Sequence, residues 1–214
     1  LPHWGDGLVT LLGDAAHLTS PTGGFGMNTG LLDAVNLSWK LAAMINGWGG
    51  KHLLDSYEVE QLPVAVRNVG EATENLRRML SPRLLQPDAR MFDGSDPAAE
   101  AARREYGQRY TEMMRREWHS IGIHLAYVYE GSPVVVPDGT PRPPLQTSSY
   151  TPTSRPGSRA PHAWIGENKS TLDLFGKTFV LLRFGANPPA ADLLVQAAAE
   201  VRLPLQVVDL VGDA

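Results

Sequence analysis

The chain has 214 residues, enough for one or two domains with real cores, and its 43% apolar and 20% charged content is that of ordinary soluble globular proteins. Its 19 basic and 23 acidic residues leave a net charge of −4, which gives no reason to expect nucleic acid or an anionic membrane as a partner. There is no cysteine, which excludes disulfides, thiolate metal sites and dithiol redox chemistry, and no apolar run approaches the ~18 residues of a membrane-spanning helix. Leu1-Pro2-His3-Trp4-Gly5-Asp6 lacks the basic flank and apolar core of a secretory signal, so a cytoplasmic location is the default expectation.

In chain order, residues 8–12 (Leu8-Val9-Thr10-Leu11-Leu12) predict a short buried strand. Residues 27–46 predict a helix whose charged residues are Asp33 and Lys40; being apolar nearly all round, it should be buried, and Asn46-Gly47 should end it. Asp55 with Glu58 has the form of a capping box opening a long helix with the stripe Leu62, Val66, Val69, Leu76, Leu80. Pro63 should kink that helix or sit in its first turns, and Ser81-Pro82 should end it. Asp96-Pro97 opens another helix, with the stripe Ala99, Ala102, Tyr106, Tyr110, Met113 and Trp118. Its pairs Glu100/Arg104, Glu105/Arg109 and Glu112/Arg116 are in the favourable i,i+4 order, so the arginine-rich face reads as solvated rather than ligand-binding.

From Gly122 the texture changes. His124 to Tyr129 alternates like a half-exposed strand, and residues 132–161 carry eight prolines, the composition of an extended linker. Thr178 to Phe184 predicts a strand, Pro188 to Val201 an Ala-rich helix, and Leu203 to Leu210 a second strand, the opening of a parallel α/β unit. No internal repeat is evident.

The chemistry concentrates in GDAAHLTSPTGGFGMNTG, residues 13–30, between the first strand and the first helix. Asp14 is either a turn residue or an acceptor for ligand hydroxyls such as those of a ribose or ribityl group. His17 reads as a packed or surface histidine, since no second acid or nucleophile stands near it in the sequence. Pro21 reads as loop geometry. Gly23, Gly24 and Gly26 permit backbone shapes closed to other residues and lead into a helix start, where free N–H groups and the dipole favour negative charge. No Lys-Ser or Lys-Thr follows, so this is not a P-loop, and the loop is too long for the usual dinucleotide fingerprint. The residues alone yield an anion-binding helix terminus or a structural loop.

Gly13-Asp14-Ala15-Ala16-His17, Pro21, Gly24-Phe25-Gly26-Met27-Asn28 and Asp33-Ala34-Val35-Asn36-Leu37-Ser38-Trp39-Lys40-Leu41-Ala42 together resemble the single-component FAD-dependent aromatic hydroxylases, the family of p-hydroxybenzoate and phenol hydroxylases. Tyr57-Glu58, Glu60, Pro63-Val64-Ala65 and Asn68 resemble that family's next helix. The segments 129–133, 136–140, 155–162 and 170–176 resemble the subgroup of chlorophenol, hydroxyphenylpropionate and polyketide-tailoring hydroxylases, which carry a thioredoxin-like C-terminal domain. The resemblance implies that Gly13, Asp14, Pro21, Gly23, Gly24, Gly26, Met27 and Asn28 contact FAD. Asp14 would hold the ribityl chain, Pro21 would lie beside the flavin near the reacting groups, and the backbone from Gly24 to Asn28 would face the pyrimidine edge. It implies NADPH or NADH as co-substrate and a flavin C4a-hydroperoxide that hydroxylates an aromatic small molecule with O2.

The fold expected on this basis is α/β: a partial FAD-binding, Rossmann-type domain with its helical region (1–121), an edge strand and Pro-rich linker (122–161), and a partial thioredoxin-like domain (162–214). The family's GxGxxG unit, ribose-binding acid and Asp-Gly motif have no counterpart in this sequence. The chain therefore reads as part of a longer flavoprotein, with the N-terminal half of that parent as its partner, and as inactive in isolation. Homodimerisation stays open. So do two other readings: a non-catalytic dimerisation or interaction module, and part of a related FAD reductase, halogenase or Baeyer–Villiger-type oxygenase.

Overall fold

A computed structural model describes residues 1–81 and 94–211. It opens with a small antiparallel hairpin, β1 (Gly5–Asp6) and β2 (Val9–Thr10). Two short 3-10 turns, Gly13–Ala15 and Thr22–Gly24, lead into helix α1 (Phe25–Ile45). Helices α2 (Asp55–Leu80), α3 (Pro97–Trp118) and α4 (Ile121–Leu125) follow. A second hairpin joins β3 (Trp164–Gly166) to β4 (Lys169–Ser170), and the C-terminal part runs β5 (Phe179–Phe184), α5 (Asp192–Glu200), β6 (Leu205–Leu210). Strands β5 and β6 pair in parallel, Phe179 opposite Leu205 through Phe184 opposite Leu210, so the expected strand–helix–strand unit forms. The chain is mixed α/β, as its sequence predicts.

The centre is the packing of α1 on α2, and it is built in an unusual way. The inward face of α1 carries Thr29, Asp33, Asn36 and Lys40 at steps of four, three and four, together with Phe25, Leu37 and Ala43. Its outward face carries Met27, Leu31, Val35, Leu41 and Ile45, all exposed. The expectation of a helix buried all round is therefore corrected: α1 turns its polar stripe inward and an apolar stripe outward.

The polar stripe is buried because it is partnered. Glu60 of α2 is 2% exposed and its carboxylate accepts from Lys40 Nζ (2.7 Å), Asn36 Nδ2 (2.6 Å) and Ser132 Oγ (2.6 Å). Burial pulls the Lys40 pKa below its ordinary value, while the Glu60 carboxylate opposes that shift. Asn68 Nδ2 donates to Thr29 Oγ1 at 2.9 Å, and Gln61 Nε2 donates to the Tyr129 hydroxyl at 2.9 Å. Apolar packing flanks this layer: Trp4, Ala16, Leu37, Tyr57 and Ala65 at one end, Phe25, Ala72 and Ile123 at the other.

Several local expectations change. The strand expected over 8–12 shrinks to β2, and Leu8 and Val9 are exposed, because its one pairing partner here is β1. Asp55 and Glu58 form no capping box. The turn over 50–54 already meets the first N–H groups of α2 through the Leu53 and Leu54 carbonyls, Asp55 pairs with His52, and Glu58 accepts from the Trp4 N–H at 2.8 Å. The inward face of α2 is Tyr57, Gln61, Val64, Ala65, Asn68, Ala72 and Asn75, rotated from the expected stripe, so Val66, Leu76 and Leu80 are exposed. Pro63 lies inside α2, which runs through it. Ser81 caps α2 as expected; Pro82 lies outside the described residues.

Asp96 does cap α3, accepting from the Ala99 N–H at 2.8 Å, with Pro97 at the first helical position. Of the α3 stripe, Ala99 is buried, whereas Tyr110 and Trp118 are exposed. Glu100–Arg104 and Glu105–Arg109 pair, but Arg116 reaches across to Glu71 of α2 (3.2 Å) and Glu112 meets Arg115 instead. Residues 124–129 form no strand: α4 takes their start, and a single antiparallel bridge joins Val128 to Ser158. The Pro-rich segment is extended and largely exposed, but it is tied to the helices at Gln146 and Thr147. Arg67 donates to the carbonyls of Gly122 and Gln146, and the Gly122 N–H donates to Thr147 O at 3.0 Å.

Two outcomes follow from this core. Glu60→Ala should cost about 3–5 kcal/mol, because it leaves the Lys40 ammonium buried without its counter-charge; the urea midpoint measures it, and Glu60→Gln should lie between mutant and wild type. Gly122→Ala should cost about 1–3 kcal/mol by overpacking, since a methyl there would overlap the carbonyl oxygens of Gln146 and Ser149.

Candidate functional site

The loop from Gly13 to Gly24 is moored at both ends. Gly13 has φ +57°, a left-handed conformation that favours glycine, and it starts the first 3-10 turn. Its carbonyl accepts from the Ala16 and His17 N–H groups, and its own N–H donates to Asp33 Oδ2 at 2.9 Å. The same oxygen accepts from His17 Nε2 at 2.7 Å. His17 and Asp33 are both buried, and the Trp4 ring covers the imidazole with its centroid 5.3 Å away. His17 is thus a packed histidine rather than a surface one. Asp14, in the middle of this turn, stays exposed.

The second turn sets the start of α1. Gly24 N–H donates to Pro21 O at 3.2 Å, Thr22 Oγ1 donates to Ala72 O at 2.6 Å, and Gly23 N–H donates to Glu117 Oε1 of α3 at 3.2 Å. Gly23 (φ +81°) cannot carry a side chain, because a Cβ would stand 2.6 Å from the Phe25 ring. Gly24 (φ +67°) is the N-cap of α1 and has open space where a side chain would be. No side chain caps the helix: Asn28 turns its Nδ2 back onto the Gly24 carbonyl at 2.8 Å. The first N–H groups of α1 are therefore left to an outside acceptor or water. Met27 and Asn28 are exposed beside them, Gly26 packs near Thr19, and Pro21 is exposed at the loop's crest.

All eight residues singled out from the sequence, Gly13, Asp14, Pro21, Gly23, Gly24, Gly26, Met27 and Asn28, thus lie on one short path around the N-terminal half of α1. The residues that hold this path were not singled out as functional: Asp33, Gly30, Thr22 and Glu117. The first two carry a legible signal, the one acid of α1 and a glycine three residues before it. Glu117, ninety-four positions from Gly23, carries none.

Electrostatically the site has an exposed carboxylate at Asp14 and a positive helix end at Gly24 to Met27, with no metal-holding cluster of His, Asp or Glu among the described residues. A cleft of about 260 Å³ opens beside the first turns of α1, lined by Phe25, Asn28, Thr29, Asn68, His124 and Arg159 among others. These features fit a polyhydroxylated, electron-rich ligand such as FAD. Asp14 can accept from ligand hydroxyls, and the uncapped helix start can donate to an anionic ring edge that glycines let approach closely.

Comparison with known proteins agrees with this fit. Residues 1–72 match the FAD binding domain family. An FAD-dependent monooxygenase, opdD, of Penicillium oxalicum is 36% identical over 96% of this chain and 40% of its own length. The 2,4-dichlorophenol 6-monooxygenase of Delftia acidovorans is 34% identical over 94% of this chain and 37% of its own. Among solved structures, the rebeccamycin biosynthetic enzyme RebC with reduced flavin superposes with a TM-score of 0.83 at 40% identity, covering 98% of this chain and 38% of that one. The chain spans about two fifths of the length of the relatives it matches. With the glycine-bare loop, the exposed Asp14 and the uncapped start of α1, these likenesses show a chain similar over nearly its whole length to part of the FAD-dependent monooxygenases, with residues 1–72 matching their FAD binding domain.

Proposed function

We propose that this chain contributes the flavin-facing loop of an FAD-dependent monooxygenase that hydroxylates an aromatic substrate, phenolic or of polyketide type, with NAD(P)H as reductant and O2 as oxygen source. The observation that carries the reading is the pairing of an exposed, held Asp14 with an uncapped helix start bare of side chains at Gly23 and Gly24. Bound FAD would supply the oxygen-activating chemistry; the protein supplies orientation, electrostatics and exclusion of water.

Each residue then has a task. The Asp14 carboxylate accepts hydrogen bonds from the ribityl hydroxyls. The backbone from Gly24 to Asn28 faces the pyrimidine edge, and its free N–H groups at Gly26 and Met27 favour negative charge there, an effect of about 0.3–1 kcal/mol at an exposed helix end and more in a closed site. Gly24, with open space where a side chain would stand, leaves room for the ring, Gly23 lets the loop close on Phe25, and Pro21 borders the ring on the side where substrate and oxygen meet.

Replacing Asp14 separates this reading from that of a mere turn residue. A hydrogen bond to a charged group contributes about 1.5–3 kcal/mol, so Asp14→Ala in the full-length protein should weaken FAD binding roughly ten- to a hundredfold. Flavin fluorescence on the apoprotein measures it, with circular dichroism as the folding control. Added FAD should restore most of the hydroxylation rate. An unchanged dissociation constant in a folded variant would refute the placement of the cofactor.

A further inference from the structure

We propose that Asp33 is the positioning residue of the cofactor loop, acting through the backbone of Gly13 and the ring of His17 to set where the Asp14 carboxylate stands. The proposal rests on the reading of Asp14 as a flavin contact. It assigns a task to a buried acid that touches no ligand.

Three observations converge. Asp33 is fully buried, and one of its oxygens, Oδ2, accepts from both the Gly13 N–H (2.9 Å) and His17 Nε2 (2.7 Å). Gly13 and His17 bracket the turn that carries Asp14, so one atom on α1 fixes both ends of that turn. Second, one helical turn before Asp33 the backbone of the loop lies directly on the helix: a Cβ on Gly30 would stand 3.3 Å from the Gly13 Cα. Gly30 and Asp33 therefore form a seat, a bare patch of helix with an acceptor beside it. Third, Asp33 Oδ1 and His17 Nδ1 are buried without a partner among the described residues. Both donors therefore converge on Oδ2 alone, and the imidazole meets the helix through Nε2 alone.

The chemistry suits the task. A carboxylate oxygen that already takes the Gly13 N–H serves as acceptor, so the Nε2 nitrogen of His17 is the donor and the ring orientation is set. Hydrogen bonds to a charged acceptor are short and directional, and a rigid helix is a better base than a loop for holding a ligand-contacting group. Asn at position 33 would keep the volume and one oxygen for the two donors, but it would remove the charge that strengthens both bonds and set an NH2 group in the buried place of Oδ1.

A double-mutant cycle in the full-length protein tests this, because residues acting through one another are non-additive. The readout is the FAD dissociation constant from flavin fluorescence for wild type, Asp14→Ala, Asp33→Asn and the double variant. Asp33→Asn should weaken FAD binding about tenfold with Asp14 present, the loss of about one charged hydrogen bond's contribution, and less than about twofold in the Asp14→Ala background. Equal losses in both backgrounds, or no loss with Asp14 present, would overturn the proposal. Should Asp33→Asn fail to fold, Gly30→Ala takes its place, since it alters no charge and presses a methyl on Gly13; FAD affinity unchanged in that variant would also overturn it. If Asp14→Ala alone leaves FAD binding untouched, the reading of Asp14 fails. The seat is then judged by amide exchange of Gly13 to His17 in the apoprotein, which Asp33→Asn should speed up and which, unchanged, would refute the seat as well.

Discussion

One carboxylate, that of Glu60, meets an ammonium from α1, an amide from α1 and a hydroxyl from the segment after α4, all within a space shut off from water. A lone charge there would be prohibitive, and even a matched pair gains little net stability once its desolvation is counted. What the arrangement does give is uniqueness. Two chain segments far apart in sequence converge on the two oxygen atoms of a third, and each donor has a direction as well as a distance. Apolar side chains of similar volume would hold the helices together without dictating how they are turned.

That matters because α1 serves two ends. Its middle joins the buried polar layer through Asn36 and Lys40, and its N-terminal half supports the glycine loop through Gly30 and Asp33. The loop itself contributes little apolar packing. It is held by backbone approach and by acceptors borrowed from its neighbours: Asp33 at Gly13, Ala72 at Thr22, Glu117 at Gly23. A loop so held can present bare amides and an exposed acid without collapsing onto them.

The sequence announces the loop clearly, because glycines clustered at a helix mouth serve chiefly to let a backbone or a ligand come close, and it announces the helices nearly as well. The cap at Asp96-Pro97 and the strand–helix–strand close of the chain form as their residue types predict. Periodicity misleads where polar residues go inside. Val66, Leu76 and Leu80 define an apolar stripe on α2, yet Gln61, Asn68 and Asn75 are the ones buried, and Tyr129 and Thr29 supply partners for Gln61 and Asn68. A pattern of apolar residues reports which face avoids water only when no partner stands ready for the polar one. The His124–Tyr129 alternation fails for a related reason: Gly122 and Ile123 are drawn into a short helix against Phe25 and the 146–149 carbonyls, contacts with no local trace. Asp33 is visible in the sequence as an oddity, a charge in an apolar helix, but its partners at positions 13 and 17 come to it only once the loop has folded back.

The inward polar stripe of α1 also governs how the helix is aimed. A helix seated by aliphatic side chains can roll about its own axis by many degrees, trading one contact for another of equal value. A helix whose Asn36 and Lys40 must both reach one oxygen, and whose Thr29 must meet Asn68, has lost that freedom. Its azimuth is fixed near its midpoint, and rigidity carries that setting some 15 Å along the axis to its first residues, at ~1.5 Å per residue. The amides at Gly26 and Met27 are pointed from a distance, as a barrel is aimed from its mount.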